Sequence, residues 1–316
     1  MLTYKDLEGI IPAVIVPMRE DYSIDYPAYE AYLEWVIAQG AAGLAVNVDT
    51  GEGAYLTPEE RSQVIRITRQ VCAGRCFVVA GIGGPSTSFA VNNAKAAREA
   101  GADALLVFPT GAFINTPLDP RVMVDYHKSI AIAAGLPLIL FNLSPIFGGV
   151  NYQPEPLAAA LELPEVIGLK DASFDPQQFV IIRDVIRKAS HPITLLCGND
   201  NFMLECLLLG AKGALLGFCA TGVKLLVDML EAVQRKDFDA AVAMQPRAQG
   251  FCDDYIYRLP YGDYRARSKV ALVYMGLLKP EQTYVRPPFR SLWEDDKDVA
   301  REMVEKYELL DVAVRV

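Results

Sequence analysis

Eight short apolar runs, separated by stretches of helical spacing, constrain the fold of this chain more than any single motif does. They are Ile10–Val16, Gly43–Asn47, Phe77–Ala80, Ala104–Phe108, Leu138–Phe141, Val166–Leu169, Ile193–Cys197 and Gly213–Gly217. Runs apolar on both faces are buried on both faces, and helices between them imply parallel pairing through right-handed crossovers. The intervening stretches carry start and stop signals. Thr57-Pro58-Glu59-Glu60 reads as an N-cap, a proline at the first helical position and a capping box closed by Glu60. Phe89–Ala100 runs into Gly101, and Gly40, Gly135 and Gly210 punctuate other helix-to-strand joints. Eight such units in about 225 residues predict a (β/α)8 TIM barrel, an α/β fold, over residues 1–224. An open doubly wound sheet would carry a glycine-rich dinucleotide loop after its first strand, where this chain has Val16-Pro17-Met18. Beyond that point the pattern is helical (Leu225–Arg235, Phe238–Tyr257, Tyr264–Met275 and Asp295–Leu309), so residues 225–316 are expected to form a C-terminal helical extension.

Composition narrows the function classes. A net charge of −9 argues against nucleic-acid or anionic-membrane partners. No apolar run approaches the ~18 residues that span a bilayer, and the N-terminus lacks a basic region followed by a hydrophobic stretch, so a cytoplasmic protein is expected. The six cysteines form no C-x-x-C pair and fit reduced, buried thiols. The two histidines, His127 and His191, lie in separate contexts. No metal and no cofactor are expected, and His127 is read as a helix-face residue.

In a barrel, chemistry belongs at the C-terminal ends of the strands. The sixth run ends in Lys170-Asp171-Ala172-Ser173. Burial disfavours charged lysine, and the neutral amine is what attacks a carbonyl to form a Schiff base. At an ordinary pKa of ~10.4, only about one lysine in two thousand is neutral at pH 7. The plainer reading is a lysine whose head snorkels into solvent. The second run leads into Asn47-Val48-Asp49-Thr50-Gly51-Glu52, the fifth into Phe141-Asn142, and the eighth contains Leu215-Leu216-Gly217. A lysine, a hydroxyl and a run of turn amides at one barrel mouth outline a Schiff-base site. Thr50 and Asp49 are its further catalytic candidates, and Gly51, Phe141, Asn142 and Leu215 are expected to contact substrate. Glu52 is read as a structural partner at the rim.

Taken in order, these segments resemble the dihydrodipicolinate synthase / N-acetylneuraminate lyase family of Schiff-base-forming barrels. The likeness covers nearly the whole chain. Val79-Ala80-Gly81-Ile82-Gly83 followed by Ala97-Arg98-Glu99-Ala100-Gly101-Ala102-Asp103-Ala104 is similar to the family's third strand, third helix and fourth strand. Gly168-Leu169-Lys170-Asp171-Ala172-Ser173 resembles its lysine strand, Gly198-Asn199-Asp200 the turn after strand seven, and Val285-Arg286-Pro287-Pro288 its C-terminal signature. The resemblance implies that Lys170 forms the imine, that Thr50 and Gly51 lie where the carboxylate of a 2-keto acid is held, and that the protein is a homotetramer.

The departures bear on function. The resemblance leads one to expect tyrosine, as general acid/base, where this chain has Phe141, and phenylalanine cannot transfer a proton. Phe108-Pro109-Thr110-Gly111-Ala112 offers no neighbouring-subunit tyrosine, so of a Thr–Tyr–Tyr relay only Thr50 is visible. Leu143-Ser144-Pro145-Ile146-Phe147-Gly148 lacks the arginine that dihydrodipicolinate synthases place there for the second substrate's carboxylate. Asp49 stands where a first threonine is usual. At ~4 Å and an effective dielectric of ~20, an ionised Asp49 would repel a bound carboxylate by about 4 kcal/mol. Asp49 is therefore expected to be protonated, to act as the acid/base Phe141 cannot be, or simply to cap the turn or pair with a nearby cation. The expected function is a Schiff-base-forming lyase, aldolase or 2-keto-3-deoxy-acid dehydratase, acting on a 2-keto acid and distinct from a typical dihydrodipicolinate synthase. The alternative is a non-catalytic barrel that binds a carbonyl metabolite, having lost the relay.

Overall fold

Seven of the eight apolar runs form one parallel sheet whose strands pair strictly in chain order. They are β1 (Gly43–Val46), β2 (Phe77–Ile82), β3 (Ala104–Val107), β4 (Leu138–Leu143), β5 (Val166–Ala172), β6 (Thr194–Cys197) and β7 (Gly213–Ala214). The first run supplies the eighth stave without becoming a regular strand. Ile10 bridges to Ala214 of β7 and Ala13 to Ala45 of β1, both in parallel. The Ile11 amide donates to the Ala214 carbonyl at 2.8 Å and the Val14 amide to the Ala45 carbonyl at 3.1 Å. Pro12, lacking an N–H, accounts for the broken ladder. The sheet thus closes into the expected barrel. The computed structural model describes residues 1–312.

Eight helices follow the eight staves: α1 (Tyr26–Ala38), α2 (Pro58–Cys72), α3 (Thr87–Ala100), α4 (Pro120–Ala134), α5 (Pro154–Leu161), α6 (Pro176–Ile186), α7 (Met203–Leu208) and α8 (Val223–Gln234). The boundary expected at 224/225 falls inside α8, the last helix of this layer. The sequence signals act as read. Thr57 and Glu60 close a capping box on α2, and Gly101 ends α3 at φ 102°. Beyond α8 come α9 (Phe238–Phe251), α10 (Tyr264–Tyr274) and α11 (Trp293–Lys306).

The barrel lumen is filled by small and branched side chains, among them Ile11, Ala45, Val79, Leu106, Ile139 and Leu196. A second, larger apolar core lies between sheet and helices. Its burial of both sheet faces is what the unbroken apolar runs require. All six cysteines are free and buried. His127 is buried on α4, its Nδ1 2.8 Å from the Met123 carbonyl oxygen. No described helix is long and apolar enough to cross a membrane. Among the described residues, no group of three or more His, Cys, Asp or Glu could hold a metal ion.

One element of the extension is locked onto the barrel mouth. Lys269 of α10 donates to Glu52 at 2.6 Å, both side chains being fully buried, and also to the Tyr284 carbonyl at 2.6 Å. Glu52 accepts a further bond from the Arg286 amide at 2.8 Å. Arg286 in turn grips Glu60 through both terminal nitrogens, at 2.5 and 2.6 Å. The turn after β1, the start of α2, the middle of α10 and the segment at residues 284–286 are therefore held as one unit.

Candidate active site

Strand alternation decides which residues face the mouth. Phe141 of β4 and Lys170 of β5 are paired in register and point inward together. Lys170 is 7% exposed, and its Nζ lies 4.0 Å from the centre of the Phe141 ring. Its side chain needs a glycine across the way, since a Cβ on Gly198 would stand 2.7 Å from the Lys170 Cε. Burial pulls the Lys170 amine down to about 8, against the opposing pull of Asp49 and Asp200. This is the desolvated amine that imine formation requires, and it is not a snorkelling side chain.

Lys170 opens into a small chamber of about 40 Å³, whose walls include Asp49, Thr50, Phe141, Asp200, Tyr257 and Tyr264. A second chamber of about 280 Å³ adjoins it, sharing Phe147, Phe174, Asp200 and Tyr257 and adding Asp253 and Tyr261. Among the described residues lining the two chambers, Lys170 is the one basic side chain. Gly51 lies behind the chamber wall, packed so closely that a Cβ there would stand 2.8 Å from the Val14 carbonyl oxygen. Among the described residues, the Thr50 and Gly51 amides donate to no backbone acceptor, which leaves two turn donors beside the lysine.

Two expected substrate contacts lie elsewhere. Asn142 follows Phe141 and so points to the opposite sheet face, into the helical layer. There it donates to Asp171 at 2.5 Å and accepts from the Tyr152 amide at 2.6 Å. Leu215 is buried in the lumen core and is absent from the chamber wall. Both positions hold the barrel together beneath the site.

The extension supplies what the strands lack. Asp49 pairs with a cation, one of the readings expected for it: Arg265 of α10 lies 3.6 Å from its carboxylate and donates to its backbone carbonyl at 2.6 Å. Burial still raises the Asp49 carboxyl above its ordinary value, with Arg265 and then Lys170 opposing. Arg265 is itself sandwiched between the rings of Tyr264 and Phe289, at 4.6 Å from each centre. Tyr257 donates to Asp200 at 2.9 Å and stacks on Tyr264, the ring centres 5.3 Å apart. Asp200 also accepts from the Phe218 amide at 2.7 Å, and burial pushes its carboxyl up to about 6. Tyr264 and Thr50 line the same chamber wall. The signal for these groups was the tyrosine-rich run Tyr255-Ile256-Tyr257, Tyr261 and Tyr264-Arg265, dense in polar aromatics for an ordinary helical linker.

Asp49→Thr tests the electrostatic reading. Arg265 already offsets most of the carboxylate's charge, so the substitution is expected to tighten keto-acid binding ~10-fold or less, about 1.4 kcal/mol. The concentration dependence of imine trapping measures it. A thousandfold gain would mean that Asp49 is ionised and Arg265 does not compensate it.

Known proteins carry the same architecture. The chain matches the Dihydrodipicolinate synthetase family over residues 6–307. It is 38% identical to the 4-hydroxy-tetrahydrodipicolinate synthase of Maridesulfovibrio salexigens over 209 residues, 66% of this chain and 69% of that one. Identity to the synthase of Syntrophus aciditrophicus is 30% over 304 residues, covering 96% and 99% of the two chains. The crystal structure of dihydrodipicolinate synthase from Bacillus clausii superposes with a TM-score of 0.84 at 26% identity, covering 96% of this chain and 99% of that one. With the match spanning the barrel, the lysine strand and the extension alike, the chain belongs to the dihydrodipicolinate synthetase family, lyases of the class I aldolase type.

Proposed function

We propose that this protein is a Schiff-base lyase in which Lys170 condenses with a 2-keto acid, and that its reaction differs from that of a typical dihydrodipicolinate synthase. The observation that carries this is the desolvated Lys170 amine, lowered to about 8 at the wall of a small chamber. At pH 7 about a tenth of such an amine is neutral, against about one part in several thousand at its ordinary value. The keto-acid carboxylate would lie on the turn at Thr50 and Gly51, whose amides point to no other backbone acceptor. The imine then serves as an electron sink for cleavage or formation of a C–C bond, or for loss of water.

The distal part of the substrate belongs in the second chamber, because the first has room for little more than the keto-acid end. Asp200 and Asp253 line that chamber without a basic partner, which disfavours a second carboxylate on the substrate. This, together with the arginine-free stretch after β4, supports an activity other than the one named for the relatives. A crystal structure of a prophage protein of the dihydrodipicolinic acid synthase family from E. coli K12, obtained in complex with pyruvate, makes pyruvate the first keto acid to try. Loss of the relay was the ground for a non-catalytic barrel, and the phenols of Tyr257 and Tyr264 at the chamber wall weigh against it.

Borohydride reduction in the presence of a panel of 2-keto acids tests the proposal. One covalent adduct per chain is expected with at least one of them, and Lys170→Ala should abolish it. A panel that yields no adduct would leave a binding barrel.

A further inference from the structure

We infer that Tyr264, which lines the Lys170 chamber together with Thr50, is the acid and then the base of the reaction, a role its position on the C-terminal extension gives it. This inference rests on the Schiff-base reading of Lys170 and names the proton carrier that reading needs.

Imine chemistry at Lys170 requires a group that gives up a proton and takes one back. The addition of the amine to the keto carbon yields a carbinolamine, and its hydroxyl must leave as water. Phe141, the side chain nearest the lysine across the sheet, has no proton to give. Five ionisable or hydroxyl-bearing groups besides the lysine line the chamber: Asp49, Thr50, Asp200, Tyr257 and Tyr264. Asp200 accepts from the Phe218 amide at 2.7 Å and from Tyr257 at 2.9 Å, which engages both its oxygens and the Tyr257 proton. Asp49 is drawn toward Arg265 at 3.6 Å. A threonine hydroxyl alone is too weak an acid. Tyr264 remains, on the chamber wall with its ring buried between Tyr257 and the Arg265 guanidinium.

Tyr264 and Lys170 line the same chamber. The steps balance with these residues alone. Tyr264 protonates the carbinolamine hydroxyl, the C–O bond breaks, water leaves, and the nitrogen lone pair forms the iminium. The resulting phenolate is stabilised by Arg265, whose guanidinium lies 4.6 Å over the ring. The phenolate then takes a proton from the carbon next to the iminium. That C–H bond breaks, its electron pair forms the C=C bond of the enamine, and the iminium nitrogen becomes neutral. Tyr264 returns to its starting state, and the net change is keto acid plus amine giving enamine plus water. Burial raises the Tyr264 phenol above its ordinary value, with Arg265 opposing, so the resting group is protonated and the cycle begins with donation.

The enamine step is visible without knowing the acceptor. In D2O, the protein should exchange the C3 hydrogens of whichever 2-keto acid is trapped best by borohydride, and proton NMR reads the rate. General acid/base groups typically contribute ~10²–10⁴-fold. Tyr264→Phe is therefore expected to slow exchange ~100-fold or more while the borohydride adduct still forms at high keto-acid concentration, which also reports an intact fold. Thr50→Val should slow exchange ~10-fold or more, and Thr50→Ser, which keeps the hydroxyl, should restore it. Exchange that persists in Tyr264→Phe at the parent rate would overturn the assignment, as would a Thr50→Val variant equal to the parent. Absence of any adduct in the parent protein removes the Schiff-base reading and this one with it; an adduct with unchanged exchange in Tyr264→Phe removes only this one.

Discussion

Lys170→Met is expected to be more stable than the parent protein at pH 7, by up to about 3 kcal/mol, while losing all covalent chemistry. The amine falls from 10.5 to about 8 on folding because burial disfavours its charge, and each pH unit of that fall is worth about 1.4 kcal/mol. The sign follows from proton counting. Between pH 8 and 10.5 the unfolded chain holds a proton that the folded protein has released, so the parent's stability rises with pH across that window. Below it, both states are protonated and the full penalty of a buried ammonium persists. Above it, both are neutral and the penalty vanishes. The advantage of Lys170→Met should therefore be complete below pH 8 and absent above pH 10.5. Paired urea denaturation curves at pH 7 and at pH 11 measure it. A Lys170→Met protein less stable than the parent at pH 7 would make Lys170 a structural ion-pair partner of Asp49 and Asp200. Stability held below its optimum at one buried group is the pattern expected of a functional site.

The opposite outcome is expected one element away. Lys269 is as buried as Lys170, but it is neutralised by Glu52 at 2.6 Å. Lys269→Met leaves that carboxylate in the interior with only the Arg286 amide as a partner. Removing one member of such a pair typically costs about 3–5 kcal/mol. The double variant Lys269→Met, Glu52→Gln removes the orphaned charge and should recover part of the loss. Thermal midpoints of the three proteins check this. Because the pair fixes α10 against the turn after β1, Lys269→Met should also impair proton exchange at the active site, through displacement of Tyr264 and Arg265. A single variant as stable as the parent would mean that the pair does not hold the extension to the barrel.

The contrast between these lysines shows how far the sequence could be read. Runs such as Leu138–Phe141 and Val166–Leu169 announce doubly buried parallel strands because no residue in them is polar, and β4 and β5 lie where they predict. Lys170 was legible because it ends such a run. Asn142 was misassigned for a reason intrinsic to strands. Consecutive residues face opposite sides, and only the pairing of Phe141 with Lys170 fixes which of them faces the mouth. The eighth stave was read as a strand, yet Pro12 reduces it to isolated bridges. That Asp49 could pair with a nearby cation was foreseen, but which cation was not, because Arg265 lies 216 residues further along the chain. No local pattern links them. The phenols were missed despite the tyrosine-rich run that carries them: a search confined to strand ends finds Phe141 and stops, whereas Tyr257 and Tyr264 reach the mouth from the extension. The C-terminal helices, read as an appendage, build one wall of the site.

The central claim is that Lys170 is the nucleophile and that burial prepares it. The most direct measurement is the initial rate of borohydride-trapped adduct formation against pH, with the modified residue located by peptide mass mapping. The expected result is modification at Lys170 alone, at a rate that rises with pH and levels off around an apparent pKa of about 8. A rate still rising toward pH 10.5, or an adduct carried by another lysine, would contradict it.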